Sequence, residues 1–179
     1  MSTLVIYKSK TGFTERYAHL IAEALSCECI SSQAAKKKNL VQYDTLIYGG
    51  SLYASTILGL KKFIAQLTPP IQQSLFIFAV GLTPASQNYL QEITEHNRSS
   101  LNLPNINAEF FYLRGGLHYS QLNILDRQLI KIMKKTIEAK PLSERSVDEC
   151  EMLKGFSQPL DFVTSESIQP LILAYKGVQ

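Results

Sequence analysis

The chain has 179 residues, of which 45% are hydrophobic and 18% are charged. This length suits one α/β domain, and the apolar content argues against a disordered chain. The formal net charge is only +3, so we expect no nucleic acid among its partners.

The cysteines and the apolar runs exclude two further classes of protein. Cys27, Cys29 and Cys150 are an odd number without metal-ligand spacing, so we expect neither a disulfide framework nor a metal site. The apolar run near the N-terminus is too short for a signal peptide, and no window approaches the roughly 18 apolar residues of a membrane span. We therefore expect a cytoplasmic protein.

Short apolar runs alternate with helical patterns in chain order. Strands are predicted at Thr3–Lys8, Cys27–Ser31, Asp44–Gly50, Ser74–Leu82 and Ala108–Leu117. Helices are predicted at Thr14–Leu25, Leu58–Leu67, Ser86–Asn97, Asn123–Ala139 and Ser167–Tyr175. The alternation predicts an α/β fold with a doubly wound, five-stranded parallel sheet of order 2-1-3-4-5 and helices on both faces.

The whole chain, residues 1–179, is predicted to form a single domain. Its core covers about residues 1–140, and an irregular segment with a C-terminal helix covers about residues 141–179. The stretches without a clear period are Gln33–Asn39 and Glu138–Pro159.

The first loop, "KSKTGFTERYA", follows a buried strand and opens a helix. Ligands of such sheets bind at the carboxyl ends of the strands, and a helix N-terminus there attracts anions. Ser9, Thr11 and Thr14 add hydroxyl groups, and Gly12 lets the backbone curl around an anion. The pattern is neither a P-loop nor a dinucleotide fingerprint. It predicts a cradle for a terminal phosphate monoester.

A simpler interpretation of the first loop is a capped helix start. Thr11 or Thr14 would then be the N-cap residue and bind a free backbone N–H group. Capping accounts for one of the three hydroxyl groups, and the other two would have no role.

Two later loops follow the third and fourth predicted strands. "GGSLYAS" (Gly49–Ser55) and "VGLTPAS" (Val80–Ser86) each combine glycine with small polar and apolar residues. Two such loops can hold a flat aromatic ring through backbone hydrogen bonds, with Tyr53 stacked on one face and Leu82 at the edge. Taken singly, each loop is better explained as a turn between a strand and a helix.

The three loops together resemble those of the flavodoxins. "SKTGFTERYA" is similar to the S/T-x-T-G-x-T phosphate loop of that family, and the later loops fall where its flavin-contacting loops fall. The resemblance implies a flavodoxin-like fold and FMN as cofactor. It assigns the phosphate to Ser9, Lys10, Thr11, Gly12, Phe13 and Thr14. It assigns the flavin ring to Ser51, Leu52, Tyr53, Ala54, Gly81, Leu82 and Thr83. Unlike most flavodoxins, this chain has no aromatic residue in the third loop, "VGLTP".

The charge distinguishes this chain from the electron carriers of the family. The resemblance to flavodoxin carriers implies a strongly acidic protein, whereas this one has a small positive charge. Electrostatic steering depends on the sign of the surface charge, so the usual docking to a basic reductase is not supported.

The predicted helix Asn123–Ala139 is amphipathic. Its apolar side contains Leu122, Leu125, Leu129, Ile132, Met133 and Thr136. Its opposite side contains Arg127, Lys131, Lys134 and Lys135. One interpretation is a surface helix that covers the sheet and exposes a basic face. The other is a docking surface for a redox partner or for anionic lipid at the inner face of the membrane. Asn123 and Asp126 have the spacing of a helix cap and its third residue.

A second resemblance lies in the run "RGGLHYSQLNILDRQLIKIMKK" (Arg114–Lys135). It is similar to the corresponding part of menaquinone-dependent protoporphyrinogen dehydrogenases, which are flavodoxin-fold enzymes. The resemblance implies an FMN-dependent oxidoreductase that passes electrons from a porphyrinogen-like substrate to a quinone. His118 and Tyr119 are then candidates to approach the ring or the substrate, and Lys10 and Arg114 to bind an anionic flavin or propionates. The alternatives are an electron carrier without its own substrate and a protein-binding domain without FMN.

Overall fold

A computed structural model describes residues 2–67, 71, 73–100 and 108–178. Its main sheet consists of β1 (Thr3–Lys8), β2 (Glu28–Ser31), β3 (Thr45–Tyr53), β4 (Thr56–Ile57), β5 (Ser74–Gly81) and β6 (Ala108–Arg114). The five longer strands are all parallel and run in the order β2-β1-β3-β5-β6. This confirms the predicted order 2-1-3-4-5, because the two-residue β4 only forms a hairpin with β3. A separate antiparallel pair joins β7 (Gly116–Leu117) and β8 (Leu160–Asp161).

Helices cover both faces of the sheet, as predicted. They are α1 (Phe13–Leu25), α2 (Ser32–Ala35), α3 (Leu60–Ile64), α4 (Gln87–Ser100), α5 (Ile124–Glu138), α6 (Val147–Lys154) and α7 (Gln169–Gly177). One core layer lies under α2, α3 and α4, where Tyr48 stacks on Phe63 with ring centroids 4.6 Å apart. The other lies under α1 and α7, where Tyr17, Leu171 and Tyr175 are buried.

The register of the sheet brings the three loops of interest to one edge. Lys8 at the end of β1 lies opposite Gly50 of β3, and Ser51 of β3 lies opposite Val80 of β5. The segments that follow these three strands therefore leave the sheet side by side. This is the place where the sequence predicted a ligand.

Helix α5 corrects the predicted packing of its apolar side. Leu125, Leu129 and Ile132 are 76%, 46% and 62% exposed, whereas Asp126 and Ile137 are the buried residues of the helix. Asp126 faces inward, where its carboxylate forms an ion pair with the partly exposed ammonium group of Lys10 of the first loop. The interpretation that this apolar side packs on the sheet is therefore wrong.

The segment predicted to be irregular contains helix α6. Ser146 caps this helix: its hydroxyl accepts a hydrogen bond from the Glu149 amide, and the Glu149 carboxylate accepts one from the Ser146 amide. This reciprocal pair satisfies two free N–H groups of the first turn. Among the described residues, no helix combines the length and the apolar character needed to cross a membrane.

Candidate functional site

A cavity of about 170 Å³ lies at the carboxyl ends of β1, β3 and β5. Its wall includes nine residues that the sequence assigned to the flavin: Lys10, Thr11, Phe13, Thr14, Ser51, Leu52, Tyr53, Gly81 and Leu82. The remaining wall residues are Val80, Gly115, Gly116, Leu117, Leu122, Asp126, Leu129 and Ile130. Ser9, Gly12, Ala54 and Thr83 belong to the same three loops but do not line the cavity.

The first loop leaves the start of α1 without a capping side chain. Gly12 is the N-cap residue, with a left-handed backbone (φ +88°), and it has no side chain that could cap the helix. Its own amide donates a hydrogen bond of 3.0 Å to Oγ of Ser9. The interpretation of Thr11 or Thr14 as the N-cap is therefore wrong. A Cβ atom at Gly12 would meet nothing within 4 Å, so the backbone conformation, and not lack of space, requires glycine. The first N–H groups of the helix are thus available to an anion.

The hydroxyl groups of the first two loops bind each other. Thr14 is almost completely buried, and its Oγ1 lies 2.9 Å from Oγ of Ser51. The same Ser51 oxygen accepts a hydrogen bond of 3.1 Å from the backbone N–H of Lys10. Ser51 therefore connects the first loop to the second.

The second loop is a tight hairpin that holds an aromatic side chain at the cavity wall. Tyr53 pairs with Thr56 across a two-residue turn, in which Ala54 and Ser55 have left-handed φ angles of 46° and 62°. Such turns match the twist of the strands but usually contain glycine or asparagine. The ring of Tyr53 is 41% exposed, and the ammonium group of Lys10 lies 4.6 Å from its centroid.

An ion pair connects the first loop to α5. The Lys10 ammonium group binds the carboxylate of Asp126, which is 8% exposed and lies 116 positions further along the chain. The Asp126 amide donates a 2.9 Å hydrogen bond to Oδ1 of Asn123, which confirms the predicted cap. The sequence indicated only this capping role for Asp126, because nothing local marks its carboxylate as a cavity residue.

The third loop and the segment after β6 supply the apolar part of the wall. Tyr112 donates a hydrogen bond of 2.6 Å to the Thr83 carbonyl and so fixes the third loop. Burial raises the pKa of Tyr112, which keeps its hydroxyl protonated as a donor. A Cβ atom on Gly116 would lie 2.6 Å from ring carbons of Phe13 and 2.2 Å from the Leu160 carbonyl, so only glycine fits there.

The comparison of the sequence with known families agrees with this geometry. The profile of the Flavodoxin domain family matches residues 4–143, which is more than half of the chain. The chain belongs to the flavodoxin domain family. Membership in this family supports the conclusion that the chain is a redox protein with a flavin cofactor. No curated protein matches the chain significantly.

Three solved structures match this flavodoxin domain with low sequence identity. An inferred flavoprotein from Bacteroides uniformis is 21% identical, with a TM-score of 0.48 over 73% of this chain and 97% of its own. The Trp repressor binding protein from Bacillus subtilis is 19% identical, with a TM-score of 0.46 over 64% and 85%. An inferred flavoprotein from Bacteroides eggerthii is 17% identical, with a TM-score of 0.47 over 78% and 99%.

Three further residues that the sequence suggested for the site of this flavodoxin domain, His118, Tyr119 and Arg114, lie outside the cavity wall. The ring of His118 meets Phe13 edge-on at 5.3 Å, and Tyr119 packs against Phe156 at 5.1 Å. Arg114 lies 3.7 Å from the centroid of the Phe162 ring. Its guanidinium group also donates hydrogen bonds to the Leu82 carbonyl and the Glu151 carboxylate. Arg114 therefore already has partners for its charge, in contrast to the prediction that it binds a flavin or propionates.

Proposed function

We propose that this cavity binds FMN and that the protein is an oxidoreductase that passes electrons from a reduced substrate to a quinone. The observation that carries the proposal is the uncapped N-terminus of α1, which follows a hydroxyl-rich loop beside the cavity. Ser9, Thr11 and Thr14 would hold the phosphate together with backbone N–H groups. The residues from Ser51 to Ala54 and from Gly81 to Thr83 would hold the ring. The bound flavin would accept a hydride or single electrons.

The volume of the cavity bears on how FMN would enter. About 170 Å³ is less than the roughly 300–1,000 Å³ of most ligand pockets. Lys10 of the first loop and Asp126 of α5 both line the cavity and form an ion pair with each other. We infer that this pair separates when FMN binds, and that the freed Lys10 then interacts with the cofactor's negative charge.

The apolar wall supports a lipophilic electron acceptor. Part of the cavity wall is apolar and consists of Leu82, Leu117, Leu122 and Ile130. Leu129 lines it as well and is 46% exposed, so apolar surface continues from the cavity to the outside of α5. A quinone ring with an apolar substituent would contact this wall favourably.

The test uses FMN-loaded protein under anaerobic conditions. After photoreduction of the flavin, a soluble menaquinone analogue is added and the return of flavin absorbance is recorded. We expect rapid reoxidation, and a slower rate in Leu129→Ser when both proteins are saturated with FMN. A porphyrinogen is supplied separately to the oxidised protein as electron donor. Absence of reoxidation by the quinone analogue would contradict the proposed acceptor.

An electron carrier without its own substrate is the second candidate. The uncapped helix and the cavity serve a carrier equally well, so the distinction lies in the redox behaviour. A carrier would accumulate one-electron-reduced flavin during stepwise photoreduction and would react with a partner reductase instead of the quinone analogue. The positive net charge of +3 argues for the oxidoreductase.

Helix α5 carries a further proposal about partners, namely contact with an anionic membrane surface. Ile124, Leu125 and Ile132 are exposed, and Lys131 and Lys135 are exposed on the same helix. Within the described part of the chain, neither lysine forms an ion pair. Apolar side chains beside free cations are typical of helices that lie on anionic lipid.

Sedimentation with lipid vesicles tests the membrane proposal. We expect the protein to pellet with vesicles that contain phosphatidylglycerol and to stay in solution with phosphatidylcholine alone. The double variant Leu125→Ser/Ile132→Ser should lose this binding. Leu142→Ser is the matched control, because Leu142 is 78% exposed outside α5. Equal loss in the control would contradict the assignment to α5.

A further inference from the structure

A second cavity, of about 340 Å³, lies on the other side of the end of β1. We call it the lysine cavity. Its wall consists of Ile6, Lys8, Ser32, Gln33, Ala35, Lys36, Gly59, Lys62, Phe63 and Gln66. It shares no residue with the flavin cavity. Its volume falls within the roughly 300–1,000 Å³ of small-molecule pockets.

The rim of the lysine cavity has a concentrated positive charge. Lys8, Lys36 and Lys62 belong to its wall, and Lys37 and Lys61 directly adjoin two of these in sequence. In the part of the chain that the structure describes, none of these five lysines forms an ion pair with an acidic side chain. Repulsion between such cations is relieved when an anion binds among them.

The acidic side chain of Glu28 does not offset this charge. Glu28 of β2 binds Lys38 at 2.8 Å and also accepts a hydrogen bond of 3.1 Å from Tyr43. The hydrogen bond from Lys38 is the main reason that the pKa of Glu28 is lowered. The charge of Lys38 is therefore offset by Glu28, whereas Lys36 and Lys37 form no ion pair among the described residues.

Lys8 is exposed, but part of its stem lies close to Gly59. A Cβ atom on Gly59 would lie 2.7 Å from Cδ of Lys8 and 2.5 Å from the Tyr48 hydroxyl. The stem of Lys8 thus crosses Gly59 in close contact, and only glycine, here with φ +80°, leaves room for it.

The floor and the polar groups of the cavity define the rest of the ligand. Ile6, Ala35 and Phe63 are buried residues of the core layer under α2 and α3, and they form an apolar floor. The side chains of Ser32, Gln33 and Gln66 add neutral hydrogen-bonding groups. An apolar floor with a lysine rim suits an organic molecule that carries a phosphate group.

We propose that the lysine cavity is a second binding site, for a small phosphorylated organic molecule. The ligand's phosphate dianion would lie among Lys8, Lys36 and Lys62, and its organic part would contact Phe63. The proposal does not depend on the identity of the molecule in the flavin cavity. Lys8 directly precedes Ser9 of the first loop, so the two sites meet at the end of β1.

The test is an NMR titration of ¹⁵N-labelled, FMN-saturated protein with AMP and, separately, with inorganic phosphate. We expect saturable shifts of the amides of Ser32, Lys62 and Gln66, with tighter binding of AMP than of phosphate. The variant Lys36→Gln/Lys62→Gln should bind AMP at least about tenfold more weakly, as loss of charge-assisted hydrogen bonds implies.

A matched control and the location of the shifts make the test decisive. Lys131→Gln/Lys135→Gln removes two unpaired lysines from α5 and should leave the affinity for AMP unchanged. Equal weakening in this control would mean only general attraction to a basic protein and would overturn the proposal. Shifts confined to residues 9–14, or no saturation, would overturn it as well. If the protein takes up no FMN, the same titration is done without FMN. The amides of Ser32, Lys62 and Gln66 report on the lysine cavity independently of the flavin cavity.

Discussion

Ala54 and Ser55 are two consecutive non-glycine residues with left-handed backbone, and they directly follow Tyr53 of the cavity wall. Each such residue costs about 1 kcal/mol or more relative to an ordinary conformation. The sequence indicated that glycine softens this loop, but its glycines, Gly49 and Gly50, lie within β3 and not in the turn. The hairpin is kept in place because its strands pair and because Leu58 donates a hydrogen bond of 3.0 Å to the Ser51 carbonyl.

We predict that Ser55→Gly stabilises the protein. Glycine removes the left-handed strain and loses some backbone entropy, which leaves a net gain of about 0.5–1 kcal/mol, or roughly 2–3 °C in Tm. The measurement is thermal unfolding followed by circular dichroism. The control is Ser165→Gly, because Ser165 is exposed and has an ordinary φ of −70°. It should lower Tm, so a fall in both variants would contradict strain at the turn.

Asp126 gives a second prediction at the scale of single residues. Asp126→Asn keeps the size of the side chain and removes the charge that holds Lys10. If the pair must separate for FMN to bind, the variant should bind FMN about 5–10-fold more tightly, as expected for about 1 kcal/mol. Fluorescence titration with FMN measures this. Asp148→Asn is the control, because Asp148 lies 3.6 Å from Arg114 and does not line the cavity. Weaker binding by Asp126→Asn would show that the carboxylate helps to hold the cofactor.

Among the elements, the sequence predicted the strands and the bounds of α5 well, but it did not predict which side of α5 faces inward. The strand Ser74–Gly81 is apolar without interruption, and burial on both faces of a parallel sheet demands this of any such strand. The side of α5 that faces inward contains Asp126, whose partner Lys10 lies far away in sequence. A helical wheel contains no information about such a contact. Helix α6 could have been predicted, because the sequence contains the Ser146 and Glu149 spacing of its capping box.

The orientation of α5 leads to a prediction about stability. Ile137 is 4% exposed, so Ile137→Ala should cost about 2–4 kcal/mol of unfolding free energy through lost burial and a cavity. Ile132 is 62% exposed, and Ile132→Ala should change that free energy by no more than about 0.5 kcal/mol. Both substitutions remove the same atoms from the same helix. Denaturant unfolding of the pair gives the answer, and the reverse order of effects would mean that the apolar side of the wheel faces the core.

At the scale of the whole molecule, the alternation of strands and helices predicted the sheet order and thereby the edge where the cavity lies. The three loops could be identified because each follows a strand. The α5 part of the wall and the lysine cavity could not, because segments distant in sequence form them. Lys8, Lys36 and Lys62 come from three different segments and carry no shared pattern.

Stability of the whole molecule should fall in alkaline solution. Burial raises the pKa of both Cys27 and Cys29 from 9.0 to about 11. The unfolded chain therefore loses these protons first, so the stabilising contribution is full below pH 9 and disappears as the pH rises to about 11. We expect Tm to decline over this window, and to decline less in Cys27→Ala/Cys29→Ala. Parallel curves for the two proteins would mean that other groups cause the alkaline loss.

Titration of the protein with FMN and with riboflavin, followed by flavin fluorescence, tests whether the cavity and the start of α1 bind FMN. We expect one FMN per chain, and binding of riboflavin weaker by about tenfold or more, because riboflavin lacks the phosphate that α1 and its loop would hold. Equal affinity for the two would place the phosphate outside the loop. Failure to take up either flavin would contradict the account as a whole.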